Sequence, residues 1–356
     1  MVARAREGTC LAALIALARP LCQAAERQCP RSGPGCPPSY PDWLMAVLII
    51  VGVLARRKTK SAQYRYLTQH RTALRAALGL RRWPARATFF ERYRRAHRVL
   101  AVAIKLQGRR AISEALADAA AAAVDKSLLP ARGPEWPQRA RQAGRTIRGT
   151  DREATWGYSE HHGWVYGYSY EVIVTATPGS LVFPLLASVG TASRSEGTSF
   201  GAQIEHLPNQ TRHVLADRGY DKNEYGDRLE YDAQGRATGR HFLCPPVRRH
   251  RPARRRGPPC RQNHQVRLAR RRRQRRIAFY RRAASRRLYA RRTRTVEPFN
   301  EWFKNLFDLH ERAWHRGLDN NHTQLLAAIF AYQLLVRFNH RCHRRNGQVQ
   351  WLLDGL

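Results

Sequence analysis

Between Ala233 and Val296 the chain carries no acidic residue, and residues 248 to 292 hold 20 Arg in 45 positions. Guanidinium groups of one sign repel one another, and each needs a counter-charge before it can leave water. A block like this cannot enter a hydrophobic core on its own. It divides the chain, so the core must be assembled from the segments on either side, with the block left at the periphery. Blocks of like charge usually stay disordered until an anion neutralises them, and that is the expectation here.

The rest of the chain has what a core needs. Of 356 residues, 43% are hydrophobic, enough for one large domain or two moderate ones. The net charge of +38, from 64 Lys and Arg against 26 Asp and Glu, exceeds what solubility needs and points to a polyanionic partner, with nucleic acid the first candidate. Only 6 of those bases are Lys, an Arg bias that records GC-rich coding as well as chemistry. The Arg block reads as a clamp on the DNA backbone, with Arg271, Arg272 and Arg273 at its densest point; a solvated low-complexity insert is the alternative. Four of the seven Cys (Cys10, Cys22, Cys29, Cys36) fall in the first tenth of the chain without a CxxC pair, and Cys244 and Cys260 are too widely spaced for a usual ligand pair. Reduced thiols are the simpler reading. Leu11 to Ala18 faintly imitates a signal peptide but is too short, and the twelve apolar positions Leu44 to Ala55 fall well below the roughly 20 needed to span a bilayer. The second stretch is expected to be a buried helix, with no membrane involved.

Five Pro and two Gly in residues 30 to 41 mark a linker or long loop. From Trp43 to about Leu116 the apolar spacing is helical, with Arg56, Arg57, Lys58 and Lys60 on one side; this predicts a helical module over 1–115, for DNA-end binding or dimerisation. The texture then changes to β-branched and aromatic runs: AVDKSLL, a long polar loop, WVYGYSYEVIVTAT and LVFPLLASVG, read as three strands. A helical patch at Ser199 to Leu207, a strand ending at Asp217 and a short strand HFLCPPV follow. This order predicts a mixed α/β core over 116–315, with the Arg-rich insertion at about 233–292. Beyond it Val296, Phe299, Phe303 and Leu306 form one apolar stripe of a helix. Asn320 or Asn321 offers an N-cap for a last helix that packs on the sheet within 316–356.

Three acids are the candidates: Asp125 inside the first strand, Asp217 at the end of the fourth and Glu297 on the later helix. Displacement at a phosphodiester needs the attacking and leaving oxygens stabilised on opposite sides of phosphorus. Two Mg²⁺ ions roughly 3.5 to 4 Å apart do this, held by carboxylate oxygens.

The stretch LADRGYD at 215 to 221, with TVEPFNEWFK at 295 to 304, resembles the second-aspartate and glutamate motifs of insertion-sequence transposases of the DDE class. The resemblance extends over roughly residues 120 to 340, taking in VDKSLL and GYSYEVIV. It implies a ribonuclease-H-like catalytic domain in which Asp125, Asp217 and Glu297 are the catalytic, metal-holding carboxylates. It also implies two Mg²⁺ ions, for which Mn²⁺ can substitute. Part of that family carries Y-x2-R-x3-E-x6-K. Here Glu297 to Lys304 and Tyr289 to Arg292 keep their own intervals, but the Tyr-Arg pair sits one residue too far from Glu297, with Thr293 at the Arg position. Arg292 and Arg294 can both reach a phosphate, and Lys304, two turns beyond Glu297 on the same helix face, suits a DNA contact. The resemblance further implies cleavage and strand transfer on double-stranded DNA, at terminal inverted repeats and in target DNA, by a homodimer on paired ends, in the cytoplasm at the bacterial nucleoid.

Competing readings remain for several residues. Asp217 also suits a turn, Glu297 a helix N-terminus, and Asp151, in GTDREATWGYSE, rivals Asp125 as first carboxylate. His161 and His162 read as exposed loop residues, and Trp302 as a core residue rather than a base-stacking one. Binding without catalysis, or cleavage without joining, are the alternative functions.

Overall fold

The computed structural model describes residues 2–29, 39–160, 163–195, 197–247, 264–342 and 347–355. Helices α1 (Val2–Gln28), α2 (Asp42–Leu54), α3 (Lys60–Gln69), α4 (Arg71–Leu78), α5 (Arg86–Tyr93) and α6 (His97–Ser113) precede the first strand. Then come β1 (Ala121–Pro130), α7 (Gln138–Gln142), β2 (Thr155–Ser159), β3 (Gly163–Thr175), β4 (Pro184–Thr191), α8 (Thr198–Gln203), β5 (His213–Leu215), α9 (Asn223–Glu230) and β6 (His241–Leu243). Helices α10 (His264–Arg281), α11 (Ala283–Tyr289), α12 (Val296–Leu306), α13 (Leu318–Arg341) and α14 (Gln350–Asp354) complete the chain.

The sheet is mixed, in the order β2-β3-β1-β5-β6. Strand β3 pairs antiparallel with β1 on one edge and with β2 and β4, laid end to end, on the other, while β1, β5 and β6 run parallel. This is the expected mixed α/β layout of a ribonuclease-H-like core, with one strand more than the sequence reading. The short β2 lies in what reads as polar loop.

Alternation along β1 sorts its two faces. Ala121 and Ala123, opposite Val174 on β3, join the cluster built by α6, α12 and α13; Ala122 and Val124 join Phe200, Tyr225 and Leu229 of α8 and α9. Both faces being covered, β3 is buried continuously from Tyr166 to Thr175, as a central strand must be. The stretch over Leu44–Leu54 is the expected buried helix, apolar all round and enclosed by its neighbours, and no helix among the described residues is long and apolar enough to cross a membrane. Helix α6 lies directly on β4. At Gly108 an added Cβ would stand 2.9 Å from the Leu185 carbonyl oxygen, so only glycine permits this approach.

Two expectations change. The Arg block is not uniformly irregular: residues 248–263 lie outside the described residues, but 264–289 form α10 and α11. Arginine is a good helix former, and acids from α9 and the preceding turn neutralise the inner face. Arg273 bonds Asp221 (2.7 and 2.5 Å), Arg276 bonds Asp227 (2.6 Å), and Phe279 stacks on His241 of β6 at 4.0 Å. Nor is Asn320 or Asn321 the N-cap of α13. That helix starts at Leu318, capped from a distance: Gly317 N–H donates to Asp151 Oδ2 (3.0 Å) and Leu318 N–H to Glu153 Oε2 (2.6 Å). Most of the Pro-rich 30–41 segment lies outside the described residues, as do His161, His162, Cys36 and Cys260.

One buried acid ties the sheet to the turn that follows β5. Glu171, 4% exposed, accepts from the Tyr220 hydroxyl (3.0 Å) and lies 3.5 Å from Gly197 N and from Gln203 Nε2. Burial pushes its carboxyl up from 4.5 to about 7, against the lowering pull of Tyr220, Gly197, Arg194 and Lys126. The unfolded chain therefore releases this proton first as pH rises, so native stability falls between pH 4.5 and about 7. Glu171→Gln removes that dependence. Urea unfolding should show the variant gaining a few kcal/mol on wild type at about pH 8 and much less at about pH 5, since each unit is worth about 1.4 kcal/mol. An equal offset at both pH values would mean that Glu171 is already ionised in the fold.

Candidate active site

Asp125 and Asp217 are brought together by strand register. The parallel β1–β5 pairing sets Ala123 opposite Leu215, and each aspartate lies two residues further along its own chain, Asp125 on β1 and Asp217 in the turn just past β5. Asp217 also serves its turn, since its Oδ1 accepts from Arg218 N–H (2.6 Å). Its carbonyl accepts from the buried Cys244 thiol (3.0 Å). Turn chemistry and a place beside Asp125 are therefore compatible in one residue.

The glutamate arrives on α12, where Val296, Phe299, Phe303 and Leu306 are all buried. The apolar stripe fixes the helix rotation, and Phe303 meets Tyr170 of β3 edge-on at 5.4 Å. Residues three and seven positions after Glu297 then share its face. They are Asn300 and Lys304. Asn300 Nδ2 donates to Asp125 Oδ2 (2.9 Å), and the buried Asn300 Oδ1 has no hydrogen-bond partner among the described residues. Lys304 is only 9% exposed; burial lowers its pKa, and the charges of Glu301 and Asp125 act the other way. It faces Asp125, which sets it apart from an open DNA-binding surface.

Arg292 lies among the acids. One Nη donates to Asp125 Oδ1 (2.6 Å) and the other to Glu297 Oε1 (2.8 Å), with Arg292 itself 7% exposed. Burial pushes the Asp125 carboxyl up to about 6; Arg292 pulls it down, while Asp217 and Glu297 push it further up. Tyr289 belongs to the same neighbourhood, its hydroxyl pKa raised by burial and by the Asp217 charge and lowered by Arg292.

The other proposed contacts divide. Arg271 and Arg294 are exposed, Arg272 lies 3.9 Å over the Tyr231 ring, and Arg273 is held by Asp221. Trp302 is half-buried against the core. Asp151, the rival first carboxylate, is 4% exposed and accepts from the Tyr168 hydroxyl (2.6 Å) and Gly317 N–H (3.0 Å), a capping task apart from the Arg292 cluster. Sequence reasoning missed Asn300, Cys244 and the Glu171–Tyr220 bond. Only Asn300 left a signal, three residues after Glu297.

Carboxylate oxygens are the right donors for a hard dication. Among the described residues no group of three or more His, Cys, Asp or Glu is gathered tightly enough to hold a metal ion as it stands. The geometry gives the reason: the Arg292 guanidinium supplies the positive charge between Asp125 and Glu297. The acids match a divalent cation in the kind of donor, and Arg292 bridges Asp125 and Glu297.

Comparison with known proteins returns one family. The sequence profile described as transposase DDE domain matches residues 117–334. No curated protein and no solved structure matches the chain.

Removing Arg292 tests this electrostatic arrangement directly. Arg292→Gln leaves two carboxylates facing each other without a counter-charge, at an expected cost of about 3 to 5 kcal/mol in metal-free buffer. Added Mg²⁺ should return part of that loss in the variant and change wild type little, as read by urea unfolding. Equal Mg²⁺ responses would show that the guanidinium does not stand in the cation's place.

Proposed function

The chain belongs to the transposase DDE domain family, and we propose that it cuts DNA strands at the ends of its own mobile element and joins the freed ends to target DNA. The observation that carries this reading is the convergence on Arg292 of Asp125 from β1 and Glu297 from α12, with Asp217, just past the end of β5, close enough for its charge to act on Asp125.

In this reading Asp125, Asp217 and Glu297 hold two divalent ions, Mg²⁺ or Mn²⁺. When bound, such ions activate the attacking oxygen and stabilise the leaving one. The residues of the chain do the rest. Asn300 keeps one oxygen of Asp125 oriented, Lys304 adds positive charge beneath the phosphate, and Cys244 with Glu171 and Tyr220 fixes the turn that carries Asp217. Arg292, once displaced from the carboxylates, and exposed Arg294 would receive phosphate oxygens. The outward Arg residues of α10 and α11, among them Arg271, Arg275 and Arg286, track the backbone. Each element end needs one such site, so two copies would act on paired ends.

Two measurements test the proposal. Wild type should cleave a DNA fragment carrying the gene's own flanks in the presence of Mg²⁺. Asp217→Asn and Glu297→Gln should each lower the rate at least a hundredfold while binding is kept, because several kcal/mol of charge stabilisation is lost with a ligand. Salt-sensitive binding by wild type with no cleavage would favour a binding-only protein, and cleavage without joined product a nuclease. For the clamp, binding should weaken as salt rises with a log–log slope of about 0.9 per neutralised phosphate. Arg271→Gln and Arg275→Gln should each lower the slope by about one such step; slopes equal to wild type would remove these residues from the interface.

A further inference from the structure

Strand β3 carries an aromatic residue at every second position, Trp164, Tyr166, Tyr168 and Tyr170, so all four share one face. Asp125 pairs with Val172, which puts the row on the catalytic face of the sheet. The inner three are enclosed. Tyr170 meets Phe303 at 5.4 Å, Tyr168 donates to Asp151, and Tyr166 donates to the Asp151 carbonyl (2.5 Å) and packs on Trp156 at 5.4 Å. The row then runs past its cover. Trp164 is 68% exposed, and Tyr158, its register partner on β2, is 59% exposed. Their rings stand 5.5 Å apart at 65°. They are the most exposed large hydrophobic residues among those described.

The segment packed at the root of this hairpin is basic, while the hairpin itself carries one exposed acid, Glu160. The 136–152 segment is tied to the root of the hairpin by Trp156 Nε1 donating to the Trp136 carbonyl (3.0 Å) and Trp136 Nε1 to the Arg145 carbonyl (2.9 Å). It presents exposed Arg139, Arg141, Arg145, Arg148 and Arg152, while its one acid, Asp151, is buried. Exposed aromatic faces at the end of a hairpin whose root carries guanidinium groups match a partner with flat stacking faces and a phosphate backbone. From Val172 to Trp164 is eight residues of strand, roughly 26 Å at about 3.3 Å per residue, or about eight base pairs of duplex at about 3.4 Å each.

We propose that the Tyr158–Trp164 tip of the β2–β3 hairpin stacks on unpaired or unstacked DNA bases about eight base pairs from the scissile phosphate. The proposal rests on the transposase reading and adds to it a site for distorted DNA. Stacking on every base type alike makes the contact independent of sequence, and it favours DNA already opened over intact duplex.

The test compares the full chain with its Trp164→Ala, Trp164→Phe and Tyr158→Ala variants by fluorescence anisotropy, at one salt concentration. The probes are a labelled paired duplex carrying the gene's flank and the same duplex with a short mismatched bubble at the stated distance. Trp164→Ala should lose about tenfold in affinity for the bubble and keep its duplex affinity within about twofold; Trp164→Phe should retain most of the binding. An unchanged bubble affinity, or equal losses on both probes, overturns the proposal. So does an unchanged DNA affinity accompanied by loss of self-association in sedimentation, which would make the tip a protein contact. If wild type still cleaves the flank in any of these cases, the transposase reading stands alone. A wild type that binds neither probe overturns both.

Discussion

The charge pattern around Arg292 is the constraint on which the catalytic half of the fold turns. Asp125, Asp217 and Glu297 come from two strands and a helix, and their mutual repulsion opposes bringing those elements together. Burial and the two other acids hold the Asp125 carboxyl up, to about 6, against the pull of Arg292. A guanidinium with two donors on one planar fork can serve Asp125 and Glu297 at once, which an ammonium on a flexible stem does less well. Arg292 belongs to the same short segment that opens α12, so a single turn of chain delivers both the glutamate and its counter-charge. The register departure from Y-x2-R-x3-E takes on a physical meaning here. With one more residue between Arg and Glu, Arg292 is able to fold back between Glu297 and β1.

A second set of bonds fixes where the sheet meets the long helix behind it. Asp151 and Glu153, from the loop between β1 and β2, cap α13, and Tyr168 of β3 bonds the same Asp151. The capping acids are about 165 residues distant in sequence. Helix α13 then passes beneath α6 and β4, where Gln333 donates to the carbonyls of Ile104 and Pro184. The N-terminal helices, the sheet and α13 thus share one hydrophobic cluster, and the position of β1 depends on all three.

What could be read from the sequence follows from how local each signal is. The apolar stripe of α12, the wholly apolar α2 and the long aromatic β3 each carry their periodicity within their own residues, and each forms where its pattern places it. Strand β2 has five residues, too few for alternation to register, and exists because β3 outruns β4 and leaves an edge to be paired. The start of α13 departs from the sequence pattern for a similar reason. Asn320 and Asn321 look like caps, but their side chains bond the carbonyls of Arg316, His315 and Gly317 while acids from a remote loop take the capping role. Asp125 inside a strand, Asp217 just past one and Glu297 on a helix are each legible as candidate acids. Their common counter-ion is not, since nothing in the spacing tells whether Arg292 faces outward to a phosphate or inward to Asp125.

The same ambiguity runs through the whole Arg-rich segment and explains how so basic a chain folds. Of the three consecutive arginines at 271 to 273, one is exposed, one covers Tyr231 and one is bonded to Asp221. Arg276, with Asp227 at 2.6 Å and Glu230 at 3.5 Å, is buried to 8%. A segment without acids of its own can therefore dock as a helix because α9 and the turn before it supply them, on the face that the helical period turns inward. The arginines on the opposite face gain nothing from that docking and repel one another. The acids that let α10 fold therefore also set which of its charges face outward.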